Sequence, residues 1–210
     1  MKCLAILGAS GHGKVVADCA ESAGWDKVFF FDDAWPKCNV NGAWVVVGNT
    51  ETLLNNLSNY DGVVVAIGDN AIRCKKQNDL FSQNAPLVSI VHPSAVISHY
   101  AKLGVGSVIM AGAVINVDSK LGSSCIVNTA ATIDHDCVLG DGVHISPGAQ
   151  LAGGVIVGDG SWIGIGANVC QLITIGNNSI VGAGAVVINN VKNMSTVVGV
   201  PANYLSDDKI

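Results

Sequence analysis

The sequence predicts two folds in one chain. An α/β N-terminal domain, a small Rossmann-like parallel sheet, is expected over residues 1–90, and a left-handed parallel β-helix over residues 91–210. Strand-like and helix-like stretches alternate through the first 90 residues, the pattern of a parallel sheet with crossover helices. From Val91 onward an aliphatic residue recurs at every sixth position. A glycine-rich stretch, "LGASGHGKVV" (7–16), directly follows the first strand-like run.

In the first domain "KCLAIL" (2–7) reads as a buried strand. "KVVADCAESAG" (14–24) has helical periodicity and stops on Gly24. "KVFFF" (27–31) is a second strand, ending on Asp32 and Asp33, and "AWVVVG" (43–48) a third. Thr50 is placed to cap a helix over "ETLLNNLSNY" (51–60). "GVVVAIG" (62–68) is another strand, "NAIRCKKQNDLFSQN" (70–84) another helix, and "LVSIV" (87–91) closes the series.

The second domain follows a period of six. Val91, Ile97, Leu103, Ile109, Ile115, Leu121, Val127, Ile133, Leu139, Ile145, Leu151, Val157, Ile163, Val169, Ile175, Val181 and Val187 are all aliphatic. Two residues before most of them stands a small residue, as at Ala113, Cys125, Ala131, Cys137, Ala149 and Ala167; Val143, Val155 and Ile173 are bulkier. Three hexads make one triangular coil, with the aliphatic residues stacked inside. A sheet of alternating strands has period two and does not explain this spacing. Glycines just after aliphatic sites, such as Gly104, Gly122 and Gly140, are read as the sharp turns between faces. The end, "NNVKNMSTVVGVPANYLSDDKI" (189–210), leaves the repeat and is expected to cap the last coil. The flat faces suit packing into a homotrimer with clefts between subunits.

Composition excludes several classes. The 210 residues are 50% hydrophobic and 13% charged, with net charge −5, which speaks against disorder and against nucleic acid or an anionic membrane as partner. No apolar run has the length of a membrane span, and the N-terminus lacks a signal-peptide pattern. Seven cysteines without paired spacing read as reduced thiols of a cytoplasmic protein. No CxxC occurs, and His92 and His99 lie coils away from His144, so no metal site is expected.

Polar residues that break the repeat are the candidates for chemistry. His135, in "TIDHDCVLG", follows an inward aliphatic by two and should point outward, between Asp134 and Asp136. An imidazole beside a carboxylate has the tautomer and basicity of a general base. His144, in "DGVHISPGA", should also face outward. Spacing alone leaves open that both are surface histidines without a role. The loop glycines run G-x-x-G-x-G from Gly8 to Gly13, not in the dinucleotide order G-x-G-x-x-G. Glycines and a helix N-terminus still suit a phosphate.

The hexads with the closing "VVGVPA" (197–202) resemble the hexapeptide-repeat acyltransferases. "GASGHGKVV", the "FDD" after the second strand, "AIGDNAIR" (66–73) and "DHDC" narrow the resemblance to sugar acetyltransferases of the sialic acid O-acetyltransferase (NeuD) type. Within these it is most similar to the bacillosamine-pathway (PglD-type) N-acetyltransferases. The resemblance implies acetyl-CoA as co-substrate and a nucleotide-linked 4-amino-deoxysugar, UDP- or dTDP-linked, as acceptor for surface glycan synthesis. It assigns Ser10, Gly11, His12 and Gly13 to phosphate and sugar, Asp32 and Asp33 to the base, and Gly68, Asn70 and Arg73 to the same cleft, Arg73 as a charged contact. His135 becomes the base and Asp136 its orienting acid, with Asp in place of the family's Glu. His144 is implied near the thioester, with the Gly153 N–H on its carbonyl. Ile165, Ala183 and Pro201 are implied along coenzyme A. Three alternatives remain at this point: O-acetylation of a sugar such as sialic acid, a non-catalytic nucleotide-sugar binding module, and a dehydrogenase, for which 90 residues leave little room.

Overall fold

Strand β1 (Cys3–Leu7) lies inside the first sheet. It pairs in parallel with β2 (Lys27–Phe31) on one side and β5 (Gly62–Val65) on the other. Beyond β2 lie β4 (Trp44–Gly48), parallel, and a short antiparallel β3 (Val40–Asn41), giving the order β3-β4-β2-β1-β5. Leu4, Ala5 and Ile6 are fully buried, as a central parallel strand covered on both faces requires. Helices α1 (Gly11–Ser22), α2 (Thr50–Leu54) and α3 (Asn70–Ser82) connect the strands. The chain runs from β1 toward β2 and β4, then crosses to β5. The loops after β1 and β5 therefore diverge at a topological switch point, where open α/β sheets bind ligands.

Three local expectations are corrected in this computed structural model, which describes residues 1–205. Helix α1 starts at Gly11, not Lys14. Gly13 is tolerated inside it because a Cβ there would press on the Gly8 carbonyl and sit 3.0 Å from Phe30 Cε1. Thr50 does not cap α2: the Asn49 side chain does, accepting from the Thr52 N–H at 2.9 Å, and the helix gives way to a 3₁₀ turn at Leu57–Asn59. "LVSIV" is not a full strand. Leu87 forms a single bridge with Val63, next to Pro86, which has no N–H to extend the ladder, and only Ile90–Val91 is extended.

The residues divide into two compact units, Met1–Pro93 and those from Ser94 on. In the second, each hexad forms a two-residue strand ending on its aliphatic residue. Coils pair in parallel at a spacing of three hexads: Val114 with Thr132, Thr132 with Gln150, Gln150 with Asn168, Asn168 with Val186. Two further faces repeat this register, as in Lys120 with Val138 and Ile126 with His144. The aliphatic ladder from Ile109 to Val187 is buried, as are Cys125 and Cys137 and the bulkier Val143 and Val155. This is the left-handed parallel β-helix.

The glycines after the aliphatic sites do not make the turns. Left-handed backbone falls two residues further on, at Gly112, Asp118, Ser124, Ala130, Asp136, Gly142 and onward to Gly184. Gly122 is required for another reason: its Cβ would lie 2.6 Å from the Gly140 carbonyl carbon of the next coil. Of the expected cap, residues 206–210 lie outside the described residues; Thr196–Val198 and Asn203–Tyr204 form an antiparallel pair that ends one face. All seven cysteines are free thiols, and no described helix is long and apolar enough to cross a membrane.

Candidate active site

The corner after buried Ile133 carries the densest chemistry. His135 projects from it with its side chain 56% exposed, and its Nδ1 lies 2.8 Å from Asp136 Oδ2. Asp136 occupies a left-handed corner position at φ 60°, a conformation that Asp tolerates better than most residues. Asp134 does different work. Its Oδ1 accepts from the His135 backbone N–H at 2.8 Å and from Asn116 Nδ2 at 2.9 Å, so it braces the corner and Asp136 touches the ring. The hydrogen bond to Asp136, then the charge of Asp134, hold the His135 pKa above the ordinary 6.5. The Asp134 carboxyl is held below its ordinary value by the His135 N–H and Asn116. With Nδ1–H assigned to Asp136, Nε2 is the nitrogen left to take a proton.

Gly153, one coil on, packs against that ring. A Cβ on Gly153 would stand 2.6 Å from His135 Nε2 and 2.5 Å from Cε1. Among the described residues the Gly153 N–H has no acceptor. A cleft of about 430 Å³ opens here, lined by His135, Asp136, Gly153, Gly154, Gln171 and Leu172. A groove of about 500 Å³ adjoins it through Asp134 and Ala152 and is lined by Asn116, Thr132, Gln150 and Asn168.

His144 corrects its expectation. It lies outward on its strand, yet only 8% of it is exposed. Its ring stacks on Trp162 at 5.4 Å and 3°, and its Nε2 is 3.3 Å from Asn128 Nδ2. Trp162 in turn donates to Ser146 Oγ at 2.6 Å. The 18-residue spacing of His144 and Trp162 was the signal available for this stack. Ile165, Ala183 and Pro201 are exposed and lie outside the His135 cleft.

A second cleft, about 280 Å³, opens at the switch point of the first unit, lined by Gly8, Ser10, Asp32, Asp33, Ile67, Ile72 and Lys76, with Leu7. Gly8 has φ 114°, and a Cβ there would meet the Ala66 carbonyl oxygen at 2.8 Å. Helix α1 begins at Gly11 on this loop and turns its dipole toward it. Asp32 accepts from the Ala9 and Ala34 N–H groups at 2.8 and 2.9 Å. Asp33 pairs with Lys76 Nζ at 2.7 Å and accepts from the Thr50 N–H at 3.0 Å; the Lys76 and Thr50 bonds lower its pKa to about 2.

Two expectations for this cleft change. Arg73 is 1% exposed and is not a charged contact for a ligand. Its Nη1 donates to the Ile67 and Gly68 carbonyls at 2.9 and 3.0 Å and its Nη2 to Asn70 Oδ1 at 2.9 Å, so it ties the 67–70 loop from behind. Gly68, Asn70 and Arg73 do not line the cleft; Ile67, Ile72 and Lys76 do. His12 is half-buried, and burial followed by the Arg73 charge lowers its pKa to about 4, so it is neutral and brings no positive charge to a phosphate. Among the described residues no three His, Cys, Asp or Glu side chains gather as a metal site would need.

A stack of coils, each built of three six-residue repeats, bearing a His–carboxylate pair beside a groove is the architecture of the hexapeptide-repeat acyltransferases. Residues 3–80 match the PglD N-terminal domain. The acetyltransferase domain of PglB from Neisseria gonorrhoeae, solved with acetyl coenzyme A, is 42% identical, with TM-score 0.92 over 97% of this chain and 99% of that one. A His→Asn mutant of perosamine N-acetyltransferase from Caulobacter crescentus, solved with CoA and GDP-perosamine, is 37% identical, with TM-score 0.93 over 99% of this chain and 98% of that one. UDP-N-acetylbacillosamine N-acetyltransferase of Bacillus subtilis (strain 168) is 36% identical over 113 residues, which span 53% of this chain and about half, 52%, of that protein. The chain belongs to the PglD-type family of hexapeptide-repeat sugar acetyltransferases.

Proposed function

We propose that this protein transfers the acetyl group of acetyl-CoA to the amine of a nucleotide-linked 4-amino-deoxysugar. The observation that carries the proposal is the His135 Nδ1–Asp136 Oδ2 contact of 2.8 Å, with Gly153 packed against the other side of the same ring. The relatives' ligands, acetyl coenzyme A in one and CoA with GDP-perosamine in another, support the choice of donor and acceptor. The groove beside the cleft suits the donor: Asn116, Gln150 and Asn168 offer hydrogen bonds to the amide-rich pantetheine arm.

The chemistry then follows from the residues. The sugar amine attacks the thioester carbonyl carbon and a C–N bond forms. His135 Nε2 takes the proton that the nitrogen gives up, and Asp136 holds the resulting imidazolium. The carbonyl electron pair moves to oxygen, where the Gly153 N–H stabilises it. As the oxyanion collapses the C–S bond breaks, and the coenzyme A thiolate recovers the proton from His135. The products are an amide and free coenzyme A.

The acceptor's diphosphate belongs to the Gly8–Gly13 loop and the start of α1, and its base to the Asp32–Asp33 end of the same cleft. The protein acts as a homotrimer in the cytoplasm. Exposed Val138 and Ile156 on one face and Trp162 and Ile180 on another support burial between copies, and seven free cysteines support a reducing compartment. The test is release of free thiol from acetyl-CoA with UDP-, dTDP- and GDP-linked 4-amino sugars against free and CMP-linked sialic acid. Turnover with the amines alone is expected. Turnover with the hydroxyl acceptors alone would make the protein an O-acetyltransferase instead.

A further inference from the structure

We infer that Leu172 sets the length of the acyl chain that the protein transfers, admitting acetyl and shutting out longer chains. The inference deepens the proposed function and rests on its placing of the donor in the groove beside the His135 cleft.

Leu172 stands in a backbone conformation that a leucine disfavours. Asp118, Asp136, Gly154 and Leu172 follow one another at 18-residue steps, one per coil, and all four have left-handed backbone, Leu172 at φ 60°. The coil imposes that conformation. The Asp136, Gly154 and Leu172 N–H groups donate in one register to the Val117, His135 and Gly153 carbonyls, at 3.1, 2.9 and 3.0 Å. Glycine meets this backbone without strain and Asp with little, whereas a bulky side chain there is an outlier. Among the described residues Met194 is the other long apolar side chain so placed. Burial does not hold Leu172 in position, because it is 78% exposed. Strained residues of this kind cluster at working sites, and this one lines the His135 cleft.

The side chain leans toward the reacting corner. A Cβ on Gly154 would stand 2.8 Å from Leu172 Cδ2, so the isobutyl group lies over Gly154, which separates it from Asp136 in the column. Gly154 and Leu172 border the cleft but not the groove, which meets the cleft at Asp134, Ala152 and Gln171. The donor comes from the groove, and the Gly153 N–H takes its carbonyl oxygen. The acyl chain continues the donor past Gly153, toward Gly154 and Leu172. An acetyl methyl ends before the isobutyl group, and each further methylene has to displace it. A wall that clashes with the longer donor selects by exclusion rather than by attraction. In "VCQLITIG" (169–176) the leucine reads as one more aliphatic residue of the repeat, so its neighbours in the chain do not mark it.

The test is kcat/KM for acetyl-, propionyl- and butyryl-CoA at saturating nucleotide-linked 4-amino sugar, for the wild type, Leu172→Gly and Leu172→Asn. Acetyl-CoA binding and thermal melts check each protein. The wild type should prefer acetyl- to butyryl-CoA at least about 100-fold, with propionyl-CoA between, the scale of two methylenes against a wall. Leu172→Gly should narrow that ratio at least about tenfold. It should also raise the melting temperature by about 2–4 °C, because glycine relieves the left-handed backbone. Leu172→Asn, which has nearly the shape of leucine, should stay closer to the wild-type ratio than to that of the glycine variant. Equal use of the three donors by the wild type overturns the inference and leaves acetyl transfer to the amino sugar standing. So does a Leu172→Gly variant with an unmoved ratio, or one that binds acetyl-CoA and transfers from none of the three. No turnover by the wild type with any donor and any nucleotide-linked amino sugar overturns the proposed function as well.

Discussion

Gly153→Ala isolates the geometry of the catalytic corner from the stability of the fold. Gly153 has ordinary backbone dihedrals, so alanine meets no conformational strain. The new methyl group, however, would stand 2.6 Å from His135 Nε2 and 2.5 Å from Cε1, about an ångström inside a normal contact. The His135 ring is 56% exposed and free to swing outward. It then leaves Asp136 and the position from which Nε2 receives the proton, while the coil below is undisturbed. Unfolding free energy should change by no more than about 0.5 kcal/mol. Displacing a reacting group by about 1 Å costs about 10²-fold in rate, or about 2.7 kcal/mol of barrier. Thiol release under saturating substrates, with thermal melts of the same samples, measures both. A kcat within threefold of wild type would refute the argument that this ring position is the working one. A large drop in melting temperature would show that the loss of rate came from the fold.

Other substitutions test the remaining links. Asp136→Asn removes the largest cause of the raised His135 pKa. Because the base must be neutral, the rate rises with pH through that pKa; the acid limb of kcat/KM should move to lower pH as the maximum falls at least about tenfold, and an unmoved limb contradicts the pairing. Arg73→Met leaves buried loop carbonyls without a donor and should cost about 3 kcal/mol in denaturant unfolding, raising KM for the nucleotide sugar but not for acetyl-CoA. Ile133→Ala opens a cavity between Ile115 and Leu151 in the stacked core, with an expected loss of about 2–5 kcal/mol by the same measurement.

The repeat was legible because a period of six has one physical meaning: the same buried position recurs three times per coil. It identified the inward ladder residue by residue, and it placed His135 outside. The turn residues were misplaced by two positions because glycine serves two purposes here. Gly122 gives room for the next coil, whereas left-handed backbone falls on Asp118 and Asp136 as readily as on Gly142. In the α/β unit, the start of α1 was hidden in a glycine-rich stretch whose low helix propensity is overridden by close packing at Gly13. Arg73 and Lys76 show the limit most clearly. Both are cations on one helix, three residues apart, and their sequence context is alike. The fold buries Arg73 behind the loop and turns Lys76 into the cleft, a distinction that depends on where β5 and β2 end rather than on neighbours in the chain.

The most direct test of the account is the mass of the sugar nucleotide after incubation with acetyl-CoA and wild-type or His135→Ala protein, both checked for acetyl-CoA binding. The account predicts a nucleotide-linked 4-amino sugar one acetyl group heavier with the wild type, and unchanged acceptor with His135→Ala over the same time. Equal product from both proteins, or none from the wild type with any nucleotide-linked amino sugar, would contradict it.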